Sequence, residues 1–201
     1  MTSTQQRQNR YRIYTHITRS AILHVEDALE VGKLRLLLFQ YRRGEGAQAN
    51  ASHYLDVEDA RVLCFDLAQG HLPERFLDYK GSPTARNGKP LSRVLKVEDR
   101  GQRARNPIVI QISNGPGERV GEGAIKPAGK PDVELAILLS RWQARRLALA
   151  VQAHLNAWEI VTFRQRTTST PQSYVRESQD PADLYELSSD PDNEQPATSN
   201  E

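Results

Sequence analysis

Ser140 and Gln143 stand three residues apart at the head of an uninterrupted helical pattern, and this capped segment does most to limit the folds open to the chain. A serine with a glutamine at that spacing forms a capping box, in which each side chain satisfies the other's backbone N–H. Ala144, Leu147, Ala148, Val151, Leu155 and Trp158 then fall on one helical stripe, and Trp142, Leu149, Ala153 and Ile160 on a second. The spacing predicts a helix to about Thr162. Apolar stripes on two sides predict burial on both, one against the chain's own sheet and the other against the first helix or a partner subunit. Just before it, Val133 to Leu139 is an apolar run of strand length.

A similar arrangement stands earlier. Asp56 is placed to cap a helix carrying Val57, Ala60, Leu63, Cys64 and Leu67, with Gly70 at its C-terminal end and Pro73 barring continuation. Leu55-Asp-Val-Glu-Asp-Ala-Arg-Val-Leu63 aligns with Leu139-Ser-Arg-Trp-Gln-Ala-Arg-Arg-Leu147 at a constant offset. Each segment follows a strand and opens an apolar helix. Strands are expected within Ile17 to Val25, at Lys33 to Arg42, and at Ala51 to Leu55 after the turn Arg43-Gly-Glu-Gly46. Others are expected at Phe76 to Lys80, Ser92 to Asp99 and Ile108 to Asn114, separated by loops rich in Gly, Pro and Lys/Arg. The expected fold class is α+β, with antiparallel sheets and two helices, in two units of several strands followed by one helix (about 17–70 and 75–164). Residues 1–16 read as a basic arm with no acid before Glu26, and 165–201 as a disordered acidic tail too polar to bury a core.

Charge separates along the 201 residues. The formal net charge of +2 conceals eight acids against the single base Arg176 from Pro171 onward, a net of −7. The remainder holds 26 bases and 17 acids, a net of +9. A basic body with an acidic tail suits a nucleic-acid binder. No apolar run approaches the roughly 18 residues of a membrane helix, so no membrane partner is expected. The lone Cys64 excludes an intramolecular disulfide and favours a reducing compartment. The expected location is the cytoplasm or nucleoid, or an organelle if the Arg-rich N-terminus is a transit peptide.

Signals for catalysis are sparse, and no cofactor is expected. His16, His24, His53, His71 and His154 show no metal-ligand spacing with one another or with Cys64. His154 and Cys64 read as packed groups on their helices. Gly115 to Gly123 lacks the Gly-Lys-Ser/Thr ending of a phosphate loop and reads as a flexible hairpin loop. Asp132 and Glu134 would need a lysine at 136 to suggest a nuclease, and 136 is alanine.

Between 80 and 131 there are 11 bases and four acids, a net of +7. Bases on strands and connecting loops can follow a phosphate backbone, and interleaved aromatic rings can stack on unpaired bases. Tyr41, Arg42, Arg43, Tyr79, Lys80, Arg93, Lys96, Arg103, Arg105, Lys126 and Lys130 are therefore the candidate contacts with single-stranded DNA or RNA. Phe76 and Tyr54 read as core residues. The expectation is that these bases share one open sheet face with the rings, with both helices hidden behind it.

From Ala124 to Trp158 the Lys/Gly-rich turn, apolar strand and capped Trp-bearing helix resemble the end of the positive cofactor four domain. The two-unit plan of strands and helix, over a longer stretch, resembles the Whirly and Pur proteins, although the lysine-rich signature of plant Whirly strands is absent. These families bind single-stranded DNA or RNA. The resemblance implies non-enzymatic binding on an exposed sheet face and homodimers or higher assemblies through the 140–162 helix. It also carries over Lys126 and Lys130 as binding positions, with Trp142 structural. Two other readings remain open: an oligonucleotide-binding barrel of single-strand-binding type, whose acidic tail would recruit a protein, and a structural or adaptor protein whose basic loops bind an acidic protein.

Overall fold

The computed structural model describes residues 10–70, 72–84, 88–121 and 124–168, with side chains as far as 164. It is an α+β fold of two antiparallel sheets and two helices. Strands β1 (Arg12–Ile17), β2 (Ala21–Ala28), β3 (Lys33–Arg42) and β4 (Gly46–Asp56) form a four-stranded meander, followed by α1 (Val57–Gln69). Then come β5 (Phe76–Ser82), β6 (Leu91–Asp99), β7 (Ile108–Val120), β8 (Ala124–Pro127), β9 (Val133–Leu139) and α2 (Arg141–Thr168). In the second sheet β7 lies between β6 and β9, and its far end pairs with β8.

Compactness divides the chain after Glu159. The first unit holds both sheets, α1 and most of α2. Within it one core joins all layers. Leu23 and Val25 of β2, Leu34, Leu36 and Leu38 of β3, and Leu95, Val97, Ile110 and Ile112 of the second sheet point inward at the two-residue period of a strand. Ala60, Leu63 and Leu67 of α1 and Leu147, Val151 and Leu155 of α2 complete it. The second unit begins at Ile160, and its described part continues α2.

Several boundaries depart from expectation. The chain is ordered into β1 from Arg12, inside the presumed arm, because Ile13 and Tyr14 reach the core and the strand pairs along β2. One strand expected at 17–25 is therefore the middle of a hairpin. β4 runs the whole length of β3, not only from Ala51, because cross-strand pairing extends it. β7 continues through the presumed loop and returns as β8. Gly115 lets the segment after β8 press on β7: a Cβ there would lie 2.6 Å from the Pro131 Cα. Ile125 of β8 packs over Gly81 and Gly117, where an added Cβ would meet its side chain. Residues 1–9 of the arm and 169–201 of the tail lie outside the described residues, and α2 extends past 165.

The capping box forms as predicted. Ser140 N–H donates to Gln143 Oε1 at 2.8 Å, and Gln143 N–H to Ser140 Oγ at 3.2 Å. Asp56 sits at the start of α1 but makes no capping bond, because Lys33 and Lys80 hold its carboxylate. Gly70 ends that helix in the left-handed region at φ 76°. The first stripe of α2 is buried and the second is not: Trp142 is 67% and Leu149 53% exposed, and Ala153 and Ile160 are exposed too. Contact with α1 is made instead by polar groups, Arg61 donating to Asn156 Oδ1 at 3.0 Å and to Glu159 Oε2 at 2.7 Å.

Candidate nucleic-acid interface

Alternation along β3 and β4 turns Lys33, Arg35 and Tyr54 to the outer side of the first sheet, with Arg35 directly opposite Tyr54 in register. On β6, Arg93 shares the inward side of Leu95 and Val97 but lies one step beyond the core, so its guanidinium emerges at the margin between the sheets. It stands over the Tyr54 ring, 5.8 Å from the centroid. Lys80 is Arg93's cross-strand partner on β5, and Tyr79 points to the opposite side and is 51% exposed. Lys33, Tyr54, Tyr79, Lys80, Arg93 and Lys126 thus line one open groove of about 1090 Å³.

The cations in the groove are not equivalent. Lys80 Nζ lies 2.6 Å from Asp56 and 3.1 Å from Asp78, and Lys33 also pairs with Asp56. Burial works against each charge, but the mutual hydrogen bonds prevail: Asp56 and Asp78 are held below the usual carboxylate value and Lys80 above the usual lysine value. These lysines are largely neutralised by their partners. Arg93 differs. Burial lowers its pKa, as does the charge of Arg35, against the opposing effect of Tyr54. The buried Nε of Arg93 and that of Arg35 have no hydrogen-bond partner among the described residues. Arg35 donates to Glu26 at 3.0 Å, whereas Arg93 has no acidic partner among the described residues. The Nε is itself buried, so an incoming phosphate oxygen would meet Arg93 at the terminal nitrogens of its guanidinium. Beneath the groove, fully buried His53 bonds Asp78 at 2.8 Å, tying β4 to β5.

Of the candidate contacts, Tyr79, Lys80, Arg93 and Lys126 meet in this groove. The others do not join them. Lys96 lies on the outer side of the second sheet, 2.7 Å from Glu98, and Lys130 is exposed on the turn after β8. Tyr41, Arg42 and Arg43 lie at the tip of the β3–β4 hairpin, about 30 Å of strand from Lys33. There the Tyr41 hydroxyl donates to the Thr18 carbonyl at 2.7 Å, and Arg42 faces Glu45 at 3.7 Å. Arg103 and Arg105 sit in the β6–β7 connection, at the Asp99 end of β6, about 20 Å of strand from Arg93. The basic residues therefore do not share a single face, because strand register sends neighbours to opposite sides and ends. Tyr54 was expected in the core and is instead half-buried on the groove wall. Arg35 and Lys33 were missed: in sequence they look like the polar alternation of any half-buried strand.

Cys64 is buried and its thiol is pushed up to about 12. Among the described residues no group of three or more His, Cys, Asp or Glu side chains is placed to hold a metal ion, and no described helix is long and apolar enough to cross a membrane.

No family model matches the chain, and no curated protein matches it significantly. Among solved structures, that of the plant transcriptional regulator PBF-2 is similar to this chain at 12% sequence identity and a TM-score of 0.48, over 81% of this chain and 92% of that chain.

Proposed function

We propose that this chain binds single-stranded nucleic acid in the groove between its two sheets. Arg93 and the exposed Lys126 would take the phosphate backbone, and Tyr54 and Tyr79 would stack on bases. The observation that carries this reading is the Arg93 guanidinium over the Tyr54 ring with no acidic partner among the described residues. Phosphates reward a buried cation, and exposed ring faces reward unpaired bases; a duplex offers only the first. The exposed Val62 and Phe65 of α1 and Trp142 and Leu149 of α2 support self-association through the helices.

Fluorescence anisotropy with labelled single-stranded DNA, single-stranded RNA and duplex DNA of equal length, at two salt concentrations, tests the proposal. Single strands bind more tightly than duplex, and Tyr54→Ala, with its circular dichroism unchanged, loses about 1–3 kcal/mol of that affinity. Equal binding to single and double strands, or none to either, contradicts the proposal; the latter favours a basic adaptor for an acidic protein.

A further inference from the structure

We infer that the second sheet carries a pocket for one unstacked nucleobase, formed by Ser92, Gln111 and Ser113 beneath the turn after β8. This rests on the single-strand reading and deepens it, because it adds discrimination between bases to a groove that grips only backbone and ring faces.

Register puts Ser92, Val94, Gln111 and Ser113 on the outer side of β6 and β7, opposite the core-facing Leu95 and Ile112. β8 and the turn behind it fold partly over this patch and leave a half-open cavity of about 240 Å³. Drug-sized ligands need roughly 300–1,000 Å³, so this space suits a single small ring system. Leu77 and Val94 give it apolar walls, and Pro127 and Pro131 lie at its roof. The roof is fixed, since Gly115 allows Pro131 to press on β7 and Ile125 is packed over Gly81 and Gly117.

The polar groups keep hydrogen-bonding capacity. Ser92 is only 2% exposed, and its Oγ has no hydrogen-bond partner among the described residues. A buried hydroxyl left unsatisfied is costly, and Ser92 is one of the residues lining this cavity. Gln111 offers an amide with both a donor and an acceptor, the pairing that suits a base edge. Ser113 donates to Glu134 at 3.2 Å, leaving its oxygen free to accept. Pro127 lines both this pocket and the basic groove. A strand whose backbone lies on Arg93 and Lys126 can therefore turn one base inward here.

The test measures affinities of equal-length dA, dC and dT single strands, each over a salt series, for wild type, Ser92→Ala and Gln111→Leu. The wild type separates its best and worst homopolymers by about tenfold. Both variants bring that ratio to within about threefold, with the salt slope of binding unchanged. Ser92→Ala keeps or raises the melting temperature, because it removes an orphan hydroxyl. Single-strand binding without base preference, or a preference that survives both substitutions, overturns the pocket while leaving the groove intact; Ser92 then holds only an ordered water. Absence of single-strand binding overturns the groove and the pocket together.

Discussion

Arg93 and Tyr54 show what a residue's sequence context conceals. Arg93 stands in an ordinary alternating strand and Tyr54 in another, and only the meeting of the two sheets sets one over the other. The cations that look equal in sequence separate once partners are known: Lys80 is shared between two carboxylates, whereas Arg93 has no acidic partner among the described residues. His53 beneath them gives a pH dependence. Its pKa is lowered by burial, against the hydrogen bond and charge of Asp78 that raise it. The unfolded chain then takes the proton more readily than the folded one. The stability due to neutral His53 is complete above its ordinary value of 6.5 and is lost as pH falls below that toward the folded value. His16 and His24, lowered by burial and by nearby arginines, act with the same sign. Melting temperature should therefore fall from about pH 7 to about pH 5, and His53→Gln should flatten the curve. A variant curve with the wild-type slope would remove His53 from the account.

At the scale of elements, local chemistry made much of the fold legible. The capping box, Gly70 and the apolar spacing of α1 and α2 act within one or two helical turns, so they can be read from neighbours in sequence. The α+β class follows from them and from the strand runs. The β7–β8 hairpin was not legible, because Gly115 to Pro131 holds the glycines, prolines and charges of a loose loop. What orders it is contact between residues apart in sequence: Ile125 over Gly81 of β5 and Gly117 of β7, and Pro131 against Gly115. Gly115→Ala should cost about 1–3 kcal/mol of stability, as overpacking does, because the new Cβ meets Pro131 and Asp132 backbone rather than a flexible side chain. Denaturant unfolding measures this, and an unchanged midpoint would mean that the turn does not bear on β7. The same long-range character hid most of the groove: four of the eleven candidate contacts meet there, and strand direction carries Arg42 and Arg103 to distant ends.

For the molecule as a whole, the two helices close one side of the core and the groove opens where the sheets meet. The outer stripe of α2 is the unfinished part. Its regular apolar spacing predicted burial, and within one chain Trp142 and Leu149 remain exposed. Packing against a second copy would bury them and leave the groove free. Sedimentation should find the wild type at least dimeric and Leu149→Glu shifted toward monomer with single-strand binding retained; a wild-type monomer would refute the association. The groove itself is tested most directly by photocrosslinking a bromouridine-substituted single strand, followed by peptide mass spectrometry. Adducts on the peptides containing Tyr54 and Tyr79 are the predicted result, and adducts confined to α1, α2 or the Tyr41 hairpin tip would contradict it.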